Sequence, residues 1–173
     1  MTSNALLPPP SICVLDSSLL IDLKKLPAAH QWPLLLRMSE FVRSGHLAFP
    51  KHVATELEKA RHPDAPGVWV VSAKQDLRYP PPSDEALVEV LGVASQLIEV
   101  DAEGDIADPY VVALAYDLRE RYPDTRVLVA TEDKVDRLPR KIALTTACER
   151  LELEHVQMPG FLDWVNEQLQ DRA

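Results

Sequence analysis

Residues 11–23 (Ser-Ile-Cys-Val-Leu-Asp-Ser-Ser-Leu-Leu-Ile-Asp-Leu) change their hydrophobic period in the middle. Ile12, Cys13, Val14 and Leu15 form an unbroken apolar run after Pro8, Pro9 and Pro10. This is the pattern of a short strand buried on both faces. Beyond Asp16, Leu19, Leu20 and Leu23 fall at helical spacing, with Ser17 or Ser18 in the N-cap position. Asp16 thus stands where a buried strand gives way to a helix. In open parallel α/β sheets, ligands bind at the carboxyl ends of the strands.

Alternation of the two patterns continues along the chain. The spacing predicts a helix over 29–43 with Leu35, Met38, Phe41 and Val42 inward, ended by Gly45. Residues 47–49 read as a second strand, closed by Pro50. Residues 51–60 read as a helix with Val53, Leu57 and Ala60 on one face and Glu56 at the edge of that stripe. A turn-rich connector is expected over 62–67. Residues 68–74 favour strand by composition but also fit a helical turn, and 76–79 suggest a short edge strand. Ser83 caps a helix that runs to about Ile98, with Asp84 and Glu85 in its first turn and Leu87, Val90, Leu91 and Ala94 inward. After an acidic loop over 100–107, Asp108-Pro109 opens a central helix, with Asp108 as N-cap and Pro109 as the first helical residue. A buried strand over 127–130, a helix over 145–151, a strand over 153–156 and a helix over 161–169 complete the chain. The pattern implies a mainly parallel α/β sheet with helices on both faces. Residues 11–173 are read as one domain and residues 1–10 as a flexible tail.

The formal net charge of −9 argues against a polycationic grip on nucleic acid. It does not exclude an enzyme that acts on nucleic acid, because a carboxylate site for divalent cations is itself counted as negative. Cys13 and Cys148 make neither a disulfide framework nor a zinc-finger set and read as small buried hydrophobes. The first ten residues lack a basic start. Apolar runs stay well short of the roughly 20 residues that a membrane helix needs. The expectation is a soluble, cytoplasmic protein without membrane contact. The histidines show no His-Glu-x-x-His pattern, and no Gly-x-x-x-x-Gly-Lys loop is present. Trp32, Trp69 and Trp164 are read as core or interface residues rather than platforms for bases.

Four acids stand out by position. Asp16 follows the first strand, Glu56 lies on the helix after the second, Asp108 opens the central helix, and Asp133 follows the strand 127–130. Strand ends and helix starts on one side of a parallel sheet lie close together, so these carboxylates would crowd. Crowded like charges either raise their pKa values or bind a cation. Mg²⁺ and Mn²⁺ prefer oxygen ligands, and a pair of such ions promotes in-line displacement at phosphate. Each acid also has an ordinary reading: Asp16 and Asp108 as helix caps, Glu56 as an exposed helix acid, Asp133 as a loop acid. A phosphate-receiver arrangement fits poorly, because Lys134 follows Asp133 too closely to serve as the separate lysine it needs.

At these residues the sequence resembles the PIN-domain nucleases. The matching pieces are residues 14–18 (Val-Leu-Asp-Ser-Ser), 50–57 (Pro-Lys-His-Val-Ala-Thr-Glu-Leu), 108–115 (Asp-Pro-Tyr-Val-Val-Ala-Leu-Ala) and 127–133 (Val-Leu-Val-Ala-Thr-Glu-Asp). Arg140-Lys141-Ile142 and Cys148-Glu149 look closest to the bacterial DUF4411 branch. The resemblance implies a three-layer α/β/α fold and a Mg²⁺- or Mn²⁺-dependent endoribonuclease. It further implies the toxin of a toxin–antitoxin pair, with RNA as substrate, a protein antitoxin as partner and a homodimer as one form. It makes Asp16, Glu56, Asp108 and Asp133 the catalytic metal ligands, with Ser17 and Thr131 holding the carboxylates or waters by hydrogen bonds. Arg140 and Lys141 are candidate contacts to substrate phosphates, and His52 lies one helical turn before Glu56. The alternative is the same fold with a weak metal site, serving as a protein-interaction module.

Overall fold

The computed structural model describes residues 7–59, 64–99 and 106–171. A four-stranded sheet lies at the centre, every strand parallel, in the spatial order β2 (Leu47–Ala48), β1 (Ser11–Leu15), β3 (Arg126–Ala130), β4 (Glu154–Val156). All five residues of β1 are buried, as are the last four of β3. A central strand covered on both faces needs apolar residues on both, which is why these two runs do not alternate.

The chain steps outward from β1 to β2 and then back past β1 to β3. Right-handed crossovers in opposite directions put their helices on opposite faces. The first step carries α1 (Ser17–Leu23) and α2 (Ala28–Ser44). The second carries α3 (Lys51–Glu58) and α4 (Ala65–Ala73), which still pack against the helices of the first step, and then α5 (Asp84–Ala94) and α6 (Asp108–Arg121). α7 (Leu144–Arg150) leads to β4. α8 (Met158–Gln170) returns to the side of α2, where the Trp164 ring meets Phe41 edge-on, with ring centres 5.5 Å apart. Trp164 Nε1–H donates to Ser11 Oγ at 2.8 Å, tying α8 to the start of β1. The result is a three-layer α/β/α arrangement. No helix among the described residues is long and apolar enough to cross a membrane.

Several expectations hold residue by residue. Leu35, Met38, Phe41 and Val42 are buried along α2. Gly45 ends that helix at φ +80°, a conformation natural to glycine. Ser83 caps α5 through Ala86 N–H at 3.2 Å; Val90 and Ala94 are buried, whereas Leu87 and Leu91 are half-buried. Cys13 and Cys148 are both buried.

One open reading is settled and others are corrected. The run 68–74, which fits strand by composition or a helical turn, is helical: Asp64 Oδ1 accepts Gly67 N–H at 2.9 Å and Pro66 sits in the first turn of α4. Capping and packing override β-branched composition there. Trp69 Nε1–H then reaches Ser39 Oγ at 2.8 Å, joining α4 to α2. No strand forms over 76–79; instead Lys74–Asp76 is a 3₁₀ turn, and Tyr79 donates its hydroxyl to Gly45 O at 2.7 Å. β2 stops at Ala48, and α8 begins at Met158, with Pro159 in its first turn. Trp69 and Trp164 are core residues, but Trp32 is 57% exposed. Pro9 and Pro10 are already fastened to β3: their carbonyls accept Thr125 Oγ1–H at 3.2 Å and Arg126 N–H at 2.9 Å. Ala60 and most of the expected acidic loop lie outside the described residues.

Candidate active site

β1 and β3 end level, with Leu15 opposite Ala130. Asp16 and Thr131 therefore leave the sheet side by side, and Thr131 Oγ1 donates to Asp16 Oδ2 at 2.8 Å. The same oxygen accepts Ser18 N–H at 3.3 Å, which makes Asp16 the N-cap of α1, and also accepts the Ser18 hydroxyl. Ser18 Oγ in turn accepts Glu132 N–H at 2.9 Å. Asp16 is only 2% exposed. Burial pushes its pKa up, and the hydroxyl and N–H donors pull part of the way back. The cap expected of Ser17 or Ser18 is thus supplied by the acid, and capping leaves that acid on the cleft.

Glu56 projects from α3. The Ser17 hydroxyl donates to its Oε2, and Ala107 N–H donates to its Oε1 at 2.9 Å. Because Ala107 immediately precedes α6, Glu56 fastens α3 to the start of that helix. Asp108 is the first residue of α6, whose N-cap is Ala107 and not the acid. This one-residue shift from the expected cap matters. The carboxylate makes no cap bond to the helix and meets the Lys141 ammonium instead. Lys141 Nζ also lies 3.6 Å from Asp133 Oδ2. Asp133 is fixed at both ends: its N–H donates to Thr131 Oγ1 at 3.0 Å, and its Oδ2 accepts Leu144 N–H at 3.1 Å.

All four acids line one open cleft of about 610 Å³. Ser17, Ser18, Glu132 and Lys141 share it, while Ile21, Ile106 and Val135 supply apolar wall. Among the described residues that line it there is no histidine or cysteine. An oxygen-only donor set suits hard cations such as Mg²⁺ or Mn²⁺. With Glu132, five carboxylates line the cleft against three basic side chains, Lys134, Arg137 and Lys141, so the negative charge is in excess. The acids are not gathered into a finished cage, however. Among the described residues no three His, Cys, Asp or Glu side chains stand close enough together to hold one ion. Both oxygens of Glu56 already accept hydrogen bonds, and Lys141 stands beside Asp108 and Asp133. Each carboxylate oxygen has two lone pairs, so acceptor capacity remains.

Ser17 and Thr131 hold carboxylates as expected. Arg140 is exposed and is not among the residues lining the cleft, where Arg137 stands instead. Lys141 reaches into the cleft, but toward carboxylates. His52 stacks on Tyr110, with ring centres 3.6 Å apart, and is likewise absent from the cleft lining. The sequence marks Ser18 only as a helix-cap candidate and does not mark Glu132 as a site residue. Ser18 has a readable signal: in a parallel pair that ends level, a hydroxyl three residues beyond one strand can reach the backbone beyond the other. No family model matches the chain, and no curated protein does.

Burial lifts the Asp108 pKa to about 6; Asp16 adds to the rise and Lys141 opposes it. Below the ordinary value of 3.8, this group is protonated in both the folded and the unfolded chain and has no effect on stability. Between there and about 6 only the folded chain keeps the proton, so the Asp108 contribution to stability falls as pH rises through that window. In metal-free buffer, Asp108→Asn should therefore melt several degrees above wild type at pH 7, and the gap should close by about pH 4. Differential scanning calorimetry across pH 4–7 checks both the size and the sign.

Proposed function

We propose that the protein is a Mg²⁺- or Mn²⁺-dependent endoribonuclease that hydrolyses RNA phosphodiester bonds, working in the cytoplasm as the toxin of a toxin–antitoxin pair. The support is the convergence of Asp16, Glu56, Asp108 and Asp133, from four separate stretches of chain, on one cleft at the carboxyl end of a parallel sheet. The choice of RNA, the protein antitoxin and a homodimer rest on the PIN-domain resemblance alone.

Asp16, Asp108 and Asp133, with Glu56, would hold the cation. Bound there, a divalent ion supplies Lewis acidity toward a phosphodiester and makes nearby water more acidic. The chain itself contributes fixed geometry. Thr131 and Ser18 restrict the orientation of Asp16, and Ser17 and Ala107 restrict that of Glu56. A site held in advance spends less of the reaction barrier on ordering. Lys134 and Arg137, exposed on the cleft wall, would meet phosphates flanking the scissile one.

One observation favours a rival, an interaction module without a cation: Lys141 already compensates two of the acids. Titration with Mn²⁺ separates the two readings. The nuclease takes up the ion with measurable heat, melts higher in its presence, and cleaves RNA in Mn²⁺ but not in EDTA. The module gives no heat and no thermal shift, and leaves the RNA intact.

A further inference from the structure

The Lys141 ammonium is a cation already in place. It pairs with Asp108 Oδ2, lies 3.6 Å from Asp133 Oδ2, and belongs to a side chain only 12% exposed. Its root is fixed by backbone. Arg137 N–H donates to Lys141 O at 2.8 Å, Lys141 N–H donates to Arg137 O at 3.2 Å, and Ile142 N–H donates to Gln96 O at 3.1 Å. Only the flexible four-carbon stem has to move for the ammonium to leave. Lys141, with Lys134 and Arg137 on the wall, does not neutralise the five carboxylates of the cleft, and the bonds to Asp16 and Glu56 come from neutral hydroxyls and N–H groups. A divalent ion brings twice the charge of the ammonium. It also draws its oxygen ligands in to roughly 2.0–2.1 Å for Mg²⁺. Such an ion and the ammonium cannot occupy the space beside Asp108 and Asp133 together.

We propose that Lys141 is a built-in competitor of the metal. It closes the position between Asp108 and Asp133 in the metal-free protein, and incoming Mg²⁺ or Mn²⁺ displaces its ammonium into the open cleft. The proposal rests on the nuclease reading of that cleft. Metal affinity is then set by exchange of one cation for another, and the protein stays idle until the divalent ion is abundant enough to win.

Lys141→Met keeps the length of the stem and removes its charge. In calorimetric titration with Mn²⁺, this variant should bind about tenfold tighter than wild type or more. Lys141→Arg, which keeps the charge, should bind no tighter than wild type. Wild type should also show Lys141 protected from an amine-reactive label in EDTA and labelled once Mn²⁺ is added, as read by mass spectrometry of its peptide. Uptake of Mn²⁺ by Lys141→Met alone would support the proposal as strongly. If wild type binds Mn²⁺ while Lys141→Met binds no tighter and the labelling does not change, the competitor role is overturned and the nuclease reading stands. If neither protein takes up Mn²⁺, both fall. The labelling arm uses wild type only, so a variant that misfolds does not shield the proposal.

Discussion

Asp16→Asn is expected to remove RNA cleavage, by a factor on the order of 10³ or more, and to leave the fold intact. Asparagine has the shape of the residue it replaces, and its carbonyl oxygen can still accept from Ser18 and Thr131. It lacks the charge that a divalent ion needs from an oxygen ligand. Stability should not suffer, because burial works against the Asp16 charge. In the metal-free protein the variant should melt at or above the wild-type temperature. Initial rates of RNA cleavage in Mn²⁺, set beside a calorimetric melt in EDTA, make the comparison. Wild-type activity in Asp16→Asn would end the nuclease reading. Loss of both activity and fold would instead assign Asp16 the role of a helix cap.

The legible parts of this site are those set by local pattern. A short apolar run bounded by turn residues reads as a buried strand, and it makes Asp16, directly after one such run, and Asp133, three residues after another, legible. Glu56 was found from its place beside the stripe of α3, and the Asp108-Pro109 pair marked the start of α6. The position of Lys141 was not legible, because it depends on distant contacts. Asp136 Oδ1 accepts Ala143 N–H and Thr146 Oγ1–H, each at 2.7 Å, which folds the segment after β3 back on itself. Gln96, from beyond α5, pins the backbone next to Lys141. Neither tie leaves a periodic trace in the sequence. The same limit explains α4, where Val68, Val70 and Val71 suggest a strand but a cap at Asp64 and the Trp69–Ser39 bond make a helix.

Trp164→Ala should produce the largest loss of stability of any single truncation in the core, about 3–5 kcal/mol. The indole is 1% exposed, meets Phe41 edge-on and stacks on Phe161 with ring centres 6.0 Å apart. Removing it opens a cavity between α8, α2 and β1 that rigid neighbours fill poorly. It also takes the donor from Ser11 Oγ, which belongs to a residue only 6% exposed. Trp164→Phe restores most of the ring but not the N–H, so its loss should be smaller by the cavity and resemble one missing hydrogen bond, about 1–2 kcal/mol. Trp32→Ala is the control, since that ring is 57% exposed and should lose little. Urea unfolding of the three variants gives the order, and a Trp164→Ala loss below about 1 kcal/mol would mean that α8 does not clamp the sheet as described. Because Ser11 begins the strand whose far end carries Asp16, this clamp holds the site from behind. Below its melting temperature Trp164→Ala should still bind Mn²⁺ with wild-type affinity per folded molecule, whereas Asp16→Asn should not at any temperature. That contrast separates a residue that keeps the sheet folded from one that faces the reaction.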